Sequence, residues 1–224
     1  MTHFDPDFLE FFKELAPNNH KDWFDENRKR YQKNVKDPFY AFVDEIIPEI
    51  AKIDGIKYEI SAKDCVFRIN RDVRFSNDKS PYKLRMSAII SPAGKKDKTY
   101  PGLYFEMGPE NFTIYGGVYM LSKEQLYDCR EAIAKNAKEF DKIVNDPKFT
   151  NTYGEIHGEK NKVIPKEFKE VGEKQELIYN KNWYYYCKLN PETILKDDVK
   201  KILLENYKAG KPVKDFFVKA LKDG

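Results

Sequence analysis

The hydrophobic period of this 224-residue chain changes near Asp64, and that change restricts it to a mixed helix-and-sheet fold. Upstream, apolar residues recur at helical spacing. Asp5-Pro6 reads as N-cap and N1 of a helix with an apolar face of Phe8, Leu9, Phe11, Phe12 and Leu15, ended by Pro17 and two asparagines. A second helix carries Trp23, Phe24, Asn27 and Tyr31, with Arg28 and Arg30 interleaved. Asp37-Pro38 opens a third, turning Phe39, Phe42, Val43, Ile46, Ile47 and Ile50 inward; Pro48 should kink it and Gly55 stop it. From Asp64 the period is two. Cys65, Phe67 and Ile69 alternate with Arg68 and Asn70, and Leu84, Met86, Ala88 and Ile90 continue the pattern. A strand around Leu103 to Met107, a Gly108-Pro109-Glu110-Asn111 turn and a strand from Phe112 to Met120 follow. Connections this short require antiparallel neighbours.

Downstream, Ser122 with Gln125 forms a capping box that opens a helix through about Val144. Thr150 to Lys162 is polar and reads as loop, and Pro165 starts a short helix. Trp183 to Leu189 reads as a strand returning to the sheet, before two helices over Pro191 to Ala209 and Pro212 to Leu221. With no flexible linker, repeat or low-complexity block, the expectation is a single domain over 1–224. Its class is α+β: a central twisted antiparallel sheet with N-terminal and C-terminal helices packed on it.

Composition narrows the function classes. Sixteen Phe and fifteen Tyr argue for a packed core under a charged surface. Three widely spaced cysteines form neither a disulfide framework nor a CxxC zinc site, and His20 and His157 lack ligand spacing, so no metal or cofactor is expected. The apolar runs are too short to span a bilayer, and the first residues lack the pattern of a signal peptide, so the expected compartment is the cytoplasm. Forty basic and thirty-seven acidic residues give a net charge of +3, too balanced for a nucleic-acid coat. The distribution is uneven: Arg68 to Arg85 holds six basic and two acidic residues, so the rest of the chain carries −1.

That segment contains Arg68, then Arg71-Asp72, then Arg74-Phe75, followed by Lys79 and Tyr82. On these residues the chain resembles domain-of-unknown-function family 2461. Asn18-Asn19-His20-Lys21-Asp22-Trp23-Phe24, Asn27-Arg28 with Tyr31, Gly116-Gly117 with Tyr119, Arg130, and Ile164 to Phe168 extend the resemblance over most of the chain. The family implies no reaction, and no catalytic residue is carried over from it.

Read physically, a continued strand would line Arg68, Asn70, Asp72 and Arg74 on one face and put Arg71 with Phe67, Ile69 and Val73 on the other. Arg68 and Arg74 would then stand roughly 20 Å apart, too far to share one phosphate unless the chain bends. Ser76-Asn77-Asp78 favours a bend just after Phe75. One reading is a site for an anionic or phosphorylated small ligand, contacted by Arg68, Arg71, Arg74 and Lys79. Asp72 would be the orienting or general base and Tyr82 a proton or hydrogen-bond donor, if the site is catalytic. The alternative is a non-enzymatic interaction module for an acidic protein or nucleic acid, with the motif an internal salt-bridge network; the aspartates within it disfavour nucleic acid. Other features read as packing: Gly116-Gly117 as a bulge or close approach, Cys65 as inert core, and Trp183 to Tyr186 as a strand with one face in the core. Whether the protein is an enzyme, and its oligomeric state, stay open at this level.

Overall fold

The computed structural model describes residues 2–221. The four strands β1 (Met86–Ile90), β2 (Leu103–Met107), β3 (Phe112–Val118) and β4 (Trp183–Leu189) form one antiparallel sheet in the order β1-β2-β3-β4, with helices around it, which makes the chain α+β. The chain divides into two compact units. The first holds the chain up to Lys96, with Tyr104–Ile114 and Lys188–Leu204; the second holds Asp97–Leu103, Tyr115–Cys187 and the chain from Glu205 onward. Among the described residues no helix is long and apolar enough to cross a membrane.

In the first unit, α1 (Asp7–Leu15) starts where the Asp5 carboxylate accepts from the Asp7 N–H at 2.9 Å, as its Asp-Pro start suggests. It buries Phe8, Leu9, Phe11, Phe12 and Leu15. Arg30 ties α1 down by hydrogen bonds to Asp7 and Glu14. After α2 (Lys21–Glu26) and α3 (Arg28–Tyr31), the chain enters α4 (Asp37–Asp54) through a π-helical turn, Gln32–Lys36, without leaving the helical path. The expected fresh start at Asp37-Pro38 is therefore a continuation: Lys36 and Asp37 both have αR backbone, and Pro38, whose fixed φ suits a helix, leaves one preceding carbonyl without its helical donor. Pro48 lies inside α4, and Gly55 ends it in the left-handed region at φ 72°. Phe39 and Phe42 meet Phe105 of β2 at ring-centroid distances of 5.7 and 6.3 Å, which sets these helices on the sheet.

The alternation read from Asp64 resolves differently at its two ends. Cys65 closes a short helix, α5 (Ala62–Cys65), held by a Ser61–Asp64 capping box, and is not on a strand. Burial pushes its thiol up to about 12, and that of Cys129 likewise, so both are inert core. Beyond it, residues 66–71 run antiparallel to 81–88 through two isolated bridges, Val66 with Ala88 and Asn70 with Tyr82. β1 is buried along its whole length rather than on alternate residues.

In the second unit, Ser122 and Gln125 cap α6 (Lys123–Lys135) as expected, but the helix breaks at Asn136, whose carboxamide donates back to the Ala132 carbonyl at 3.0 Å. α7 (Ala137–Val144) and α8 (Pro147–Tyr153) follow; α8 takes up the start of the stretch read as loop, with the Asp146 side chain capping it. A short α9 (Lys169–Gly172) lies beyond Pro165. The last helix, α10 (Val199–Ala220), whose residues belong to the second unit from Glu205 onward, runs through Pro212, where two helices are expected. Pro212 supplies no N–H to the Lys208 carbonyl four residues back; separately, the Tyr185 hydroxyl donates to the Gly210 carbonyl at 2.8 Å. The core of this unit gathers Trp183, Tyr185, Phe140, Phe149, Ile133, Val213 and Phe217.

Candidate functional site

The charged motif leaves the paired segment at Asn70. Hydrogen bonds from Arg71 N–H to Pro81 (2.8 Å) and from Lys83 N–H to Ile69 (2.9 Å) hold its two arms together. Exposure alternates as the strand pattern predicts: Arg68, Asn70, Asp72 and Arg74 face out, Ile69 is buried, and Arg71 and Val73 are intermediate. The reversal comes at Arg74-Phe75, closed by Ser76 N–H to the Val73 carbonyl at 3.3 Å, rather than just after Phe75.

Within the loop the side chains neutralise one another. Arg74 makes a two-point contact with Asp72 (Nε–Oδ1 3.0 Å, Nη2–Oδ2 2.7 Å). That guanidinium holds the Asp72 carboxyl below the usual carboxylate range, which weakens it as a general base. Arg71 pairs with Asp78 at 2.5 Å, and Lys79 donates to the Val73 carbonyl at 3.1 Å. Phe75 is 95% exposed at the tip, with the Arg74 guanidinium 5.8 Å from its ring centre.

Asp78 is the most strongly perturbed acid of the loop. Ser80, through its hydroxyl and then its N–H, holds the carboxyl far below its ordinary value, and Arg71 adds to this. Since the folded value is the lower one, the carboxylate's grip on the loop is complete above about pH 4 and is lost only as pH falls through the depressed value. Carboxyl-carbon NMR should show Asp78 ionised well below the range of a free aspartate. Ser80→Ala and Arg71→Ala should each raise its midpoint; a midpoint moved by neither would show that these two residues do not hold the carboxyl.

Two grooves flank Tyr82. The backbone of this residue is clamped by the Asn19 carboxamide (Nδ2 to O 2.9 Å, N to Oδ1 3.1 Å), and its ring stacks on Phe24 at 4.0 Å. One groove, of about 500 Å³, takes Arg71, Lys83 and Arg85 together with Asp72, Asp78, Glu106 and Glu110. Its charges are mixed and partly paired, Arg85 with Glu106 at 2.9 Å.

The other groove, of about 350 Å³, differs in kind. Its charged lining residues are all cations: Arg28, Lys36 and Arg68. Its walls are Phe24, Tyr31, Tyr40, Phe67 and Tyr82, with Gln32 and Asn70 contributing amides. Arg28 pairs with Asp25, which also serves Lys21. Lys36 reaches the Gln32 carboxamide at 3.3 Å and lies 5.6 Å from the Tyr40 ring centre. Arg68 has no hydrogen-bond or ion-pair partner for its guanidinium among the described residues, and Asp72, which feels its charge, is bonded to Arg74. The π turn explains how one helical path supplies four of these residues. Arg28, Gln32, Lys36 and Tyr40 are spaced by four, a row that drifts around an α-helix of 3.6 residues per turn. The wider turn, closed by i→i+5 bonds, offsets that drift and keeps all four on the groove.

Of the residues singled out in the sequence, Arg68 and Tyr82 line the cationic groove, and Arg71, Asp72 and Tyr82 line the mixed one. Arg74 and Lys79 line neither. Arg28, Lys36, Gln32 and Tyr40 were not among the expected site residues. Their four-residue spacing is visible in the sequence but does not by itself put them on one face, because that takes the π turn at Gln32–Lys36.

Fold and site together define an α+β protein with a cationic, aromatic-walled groove beside an arginine-rich loop. The family model described as "Conserved hypothetical protein (DUF2461)" matches residues 7–216, and the chain belongs to that family. No curated protein matches the chain.

Proposed function

We propose that the protein binds a small anionic ligand, a phosphate or phosphoester, in the groove lined by Arg28, Lys36 and Arg68. The observation that supports this is the free Arg68 guanidinium in a concavity whose charged lining is entirely positive. Cations gathered in this way repel one another, and an anion offering bidentate acceptors relieves that repulsion. The groove presents donors and aromatic walls, and Asp72, the expected base, is engaged by Arg74 and lines the other groove; the reading is therefore binding rather than proton abstraction. The downstream half of the motif, Arg71 to Lys79, is then scaffolding that fixes the loop through Arg71–Asp78 and Arg74–Asp72.

Calorimetry at low ionic strength with phosphate and pyrophosphate tests the reading. Arg68→Ala should weaken binding about ten-fold or more, the cost of one charge-assisted contact of roughly 1.5–3 kcal/mol. Arg74→Ala should leave it nearly unchanged. Raised salt should weaken binding in the wild type, because the groove is open to solvent screening. Equal affinities in wild type and Arg68→Ala would remove the proposal.

A further inference from the structure

Taking that anion site as given, we infer that its ligand is a phosphomonoester attached to a planar ring, of mononucleotide size. Five of the twelve residues lining the cationic groove are aromatic. Phe24, Tyr31 and Tyr82 are buried and belong to the core, but Tyr40 and Phe67 are only partly buried and come from separate elements, α4 and the 66–71 arm. A pure phosphate site needs donors and no ring surface; partly wetted aromatic walls are what a flat apolar group covers.

The cations are placed against these rings. Lys36 lies 5.6 Å from the centre of Tyr40 and Arg28 5.6 Å from that of Phe24, while Lys83, which lines the mixed groove, lies 5.7 Å from that of Phe67. Lys36 thus lies over the Tyr40 ring and Arg28 over the Phe24 ring, so a ligand ring that meets this wall has positive charge beside it for an attached anion. The polar lining adds an edge reader: Asn70 is exposed, and its carboxamide has no hydrogen-bond partner among the described residues. A carboxamide offers a donor and an acceptor side by side, the pattern that matches the edge of a heteroaromatic base. A volume of about 350 Å³ suits one ring and one phosphoryl group. It lies near the lower end of small-ligand sites, at roughly 300–1,000 Å³, which disfavours a dinucleotide.

The test compares four probes on the full chain: inorganic phosphate, ribose 5-phosphate, phenyl phosphate and adenosine 5′-monophosphate. The two ring-bearing esters should bind at least about ten-fold more tightly than ribose 5-phosphate, as expected for one stacked ring. Tyr40→Leu should erase that advantage while leaving inorganic phosphate binding unchanged, and Tyr40→Phe, which keeps the ring, should retain it. Asn70→Ala should weaken the adenosine ester and spare phenyl phosphate. If ribose 5-phosphate binds as well as the ring-bearing esters, the ring inference is overturned and the anion site stands. If none of the four binds, the anion site itself fails. A folded Tyr40→Leu protein that holds the adenosine ester as tightly as wild type overturns the placement of the ring.

Discussion

Replacing Gly117 with alanine should destabilise the protein by about 3–5 kcal/mol, enough to remove much of the stability of an ordinary domain. Gly117 sits in β3 at φ 98°, where an L side chain is strained. An added Cβ would also stand 2.1 Å from the Trp183 carbonyl oxygen and 2.8 Å from the Tyr184 Cα, both backbone atoms of β4. Backbone in a paired strand cannot swing aside as a side-chain tip can, and Trp183 is fully buried, so relief requires the two strands to part. Gly55→Ala supplies the control. It has φ 72° but nothing within 4 Å of an added Cβ, so it carries strain without collision and should cost about 1 kcal/mol. Urea unfolding of both variants separates the two effects. Equal losses would mean that the sheet accommodates the methyl group and that the close approach is not a constraint.

That constraint was visible in the sequence as a Gly116-Gly117 pair, but which strand came close was not, because contact between β3 and β4 is a long-range fact. The same division runs through the molecule. The inward faces of α1 and α4 could be read residue by residue, since helical spacing is local and burial follows it. The in-and-out order of Arg68 to Arg74 was equally legible, although those residues pair through isolated bridges rather than a regular ladder. Two features were not. Pro212 marks a helix end in isolation and is carried inside α10 by tertiary packing. The π turn at Gln32–Lys36 has no local code, and it decides that Arg28, Lys36 and Tyr40 share one groove. The motif thus pointed to the segment that holds Arg68, while the residues that share its groove, Arg28, Lys36 and Tyr40, came from a helical path 28 to 40 residues earlier in the chain.

Arg130→Ala should cost about 3–5 kcal/mol, for a reason unlike that at Gly117. Arg130 lies on α6 and is only 5% exposed, yet its acceptors are backbone carbonyls rather than a carboxylate. Its Nε donates to Ile178 at 3.0 Å and its Nη2 to Asn180 at 3.1 Å. These carbonyls end the 3₁₀ turn Glu176–Tyr179, and Trp183 Nε1 donates to a third, Leu177, at 2.8 Å. The end of a helical turn is negative through its unpaired carbonyls, so a guanidinium there both completes hydrogen bonds and meets favourable dipoles. Burial lowers the pKa of Arg130, but arginine starts so high that it stays charged. Truncation strips donors from two carbonyls, at roughly 1–3 kcal/mol each when buried, and empties the volume of the stem. Arg130→Met restores the stem without donors and should recover only the packing part. Arg130→Lys keeps charge and stem, but one ammonium cannot reproduce the spaced Nε and Nη2 donors, so it should fall between Met and wild type. Hydrogen exchange across residues 176–180 supplies the local readout: protection there should fall in Ala and Met and be partly kept in Lys. An alanine variant within about 1 kcal/mol of wild type, with that turn still protected, would show that the carbonyls find other donors and that the arginine is not what holds the turn to α6.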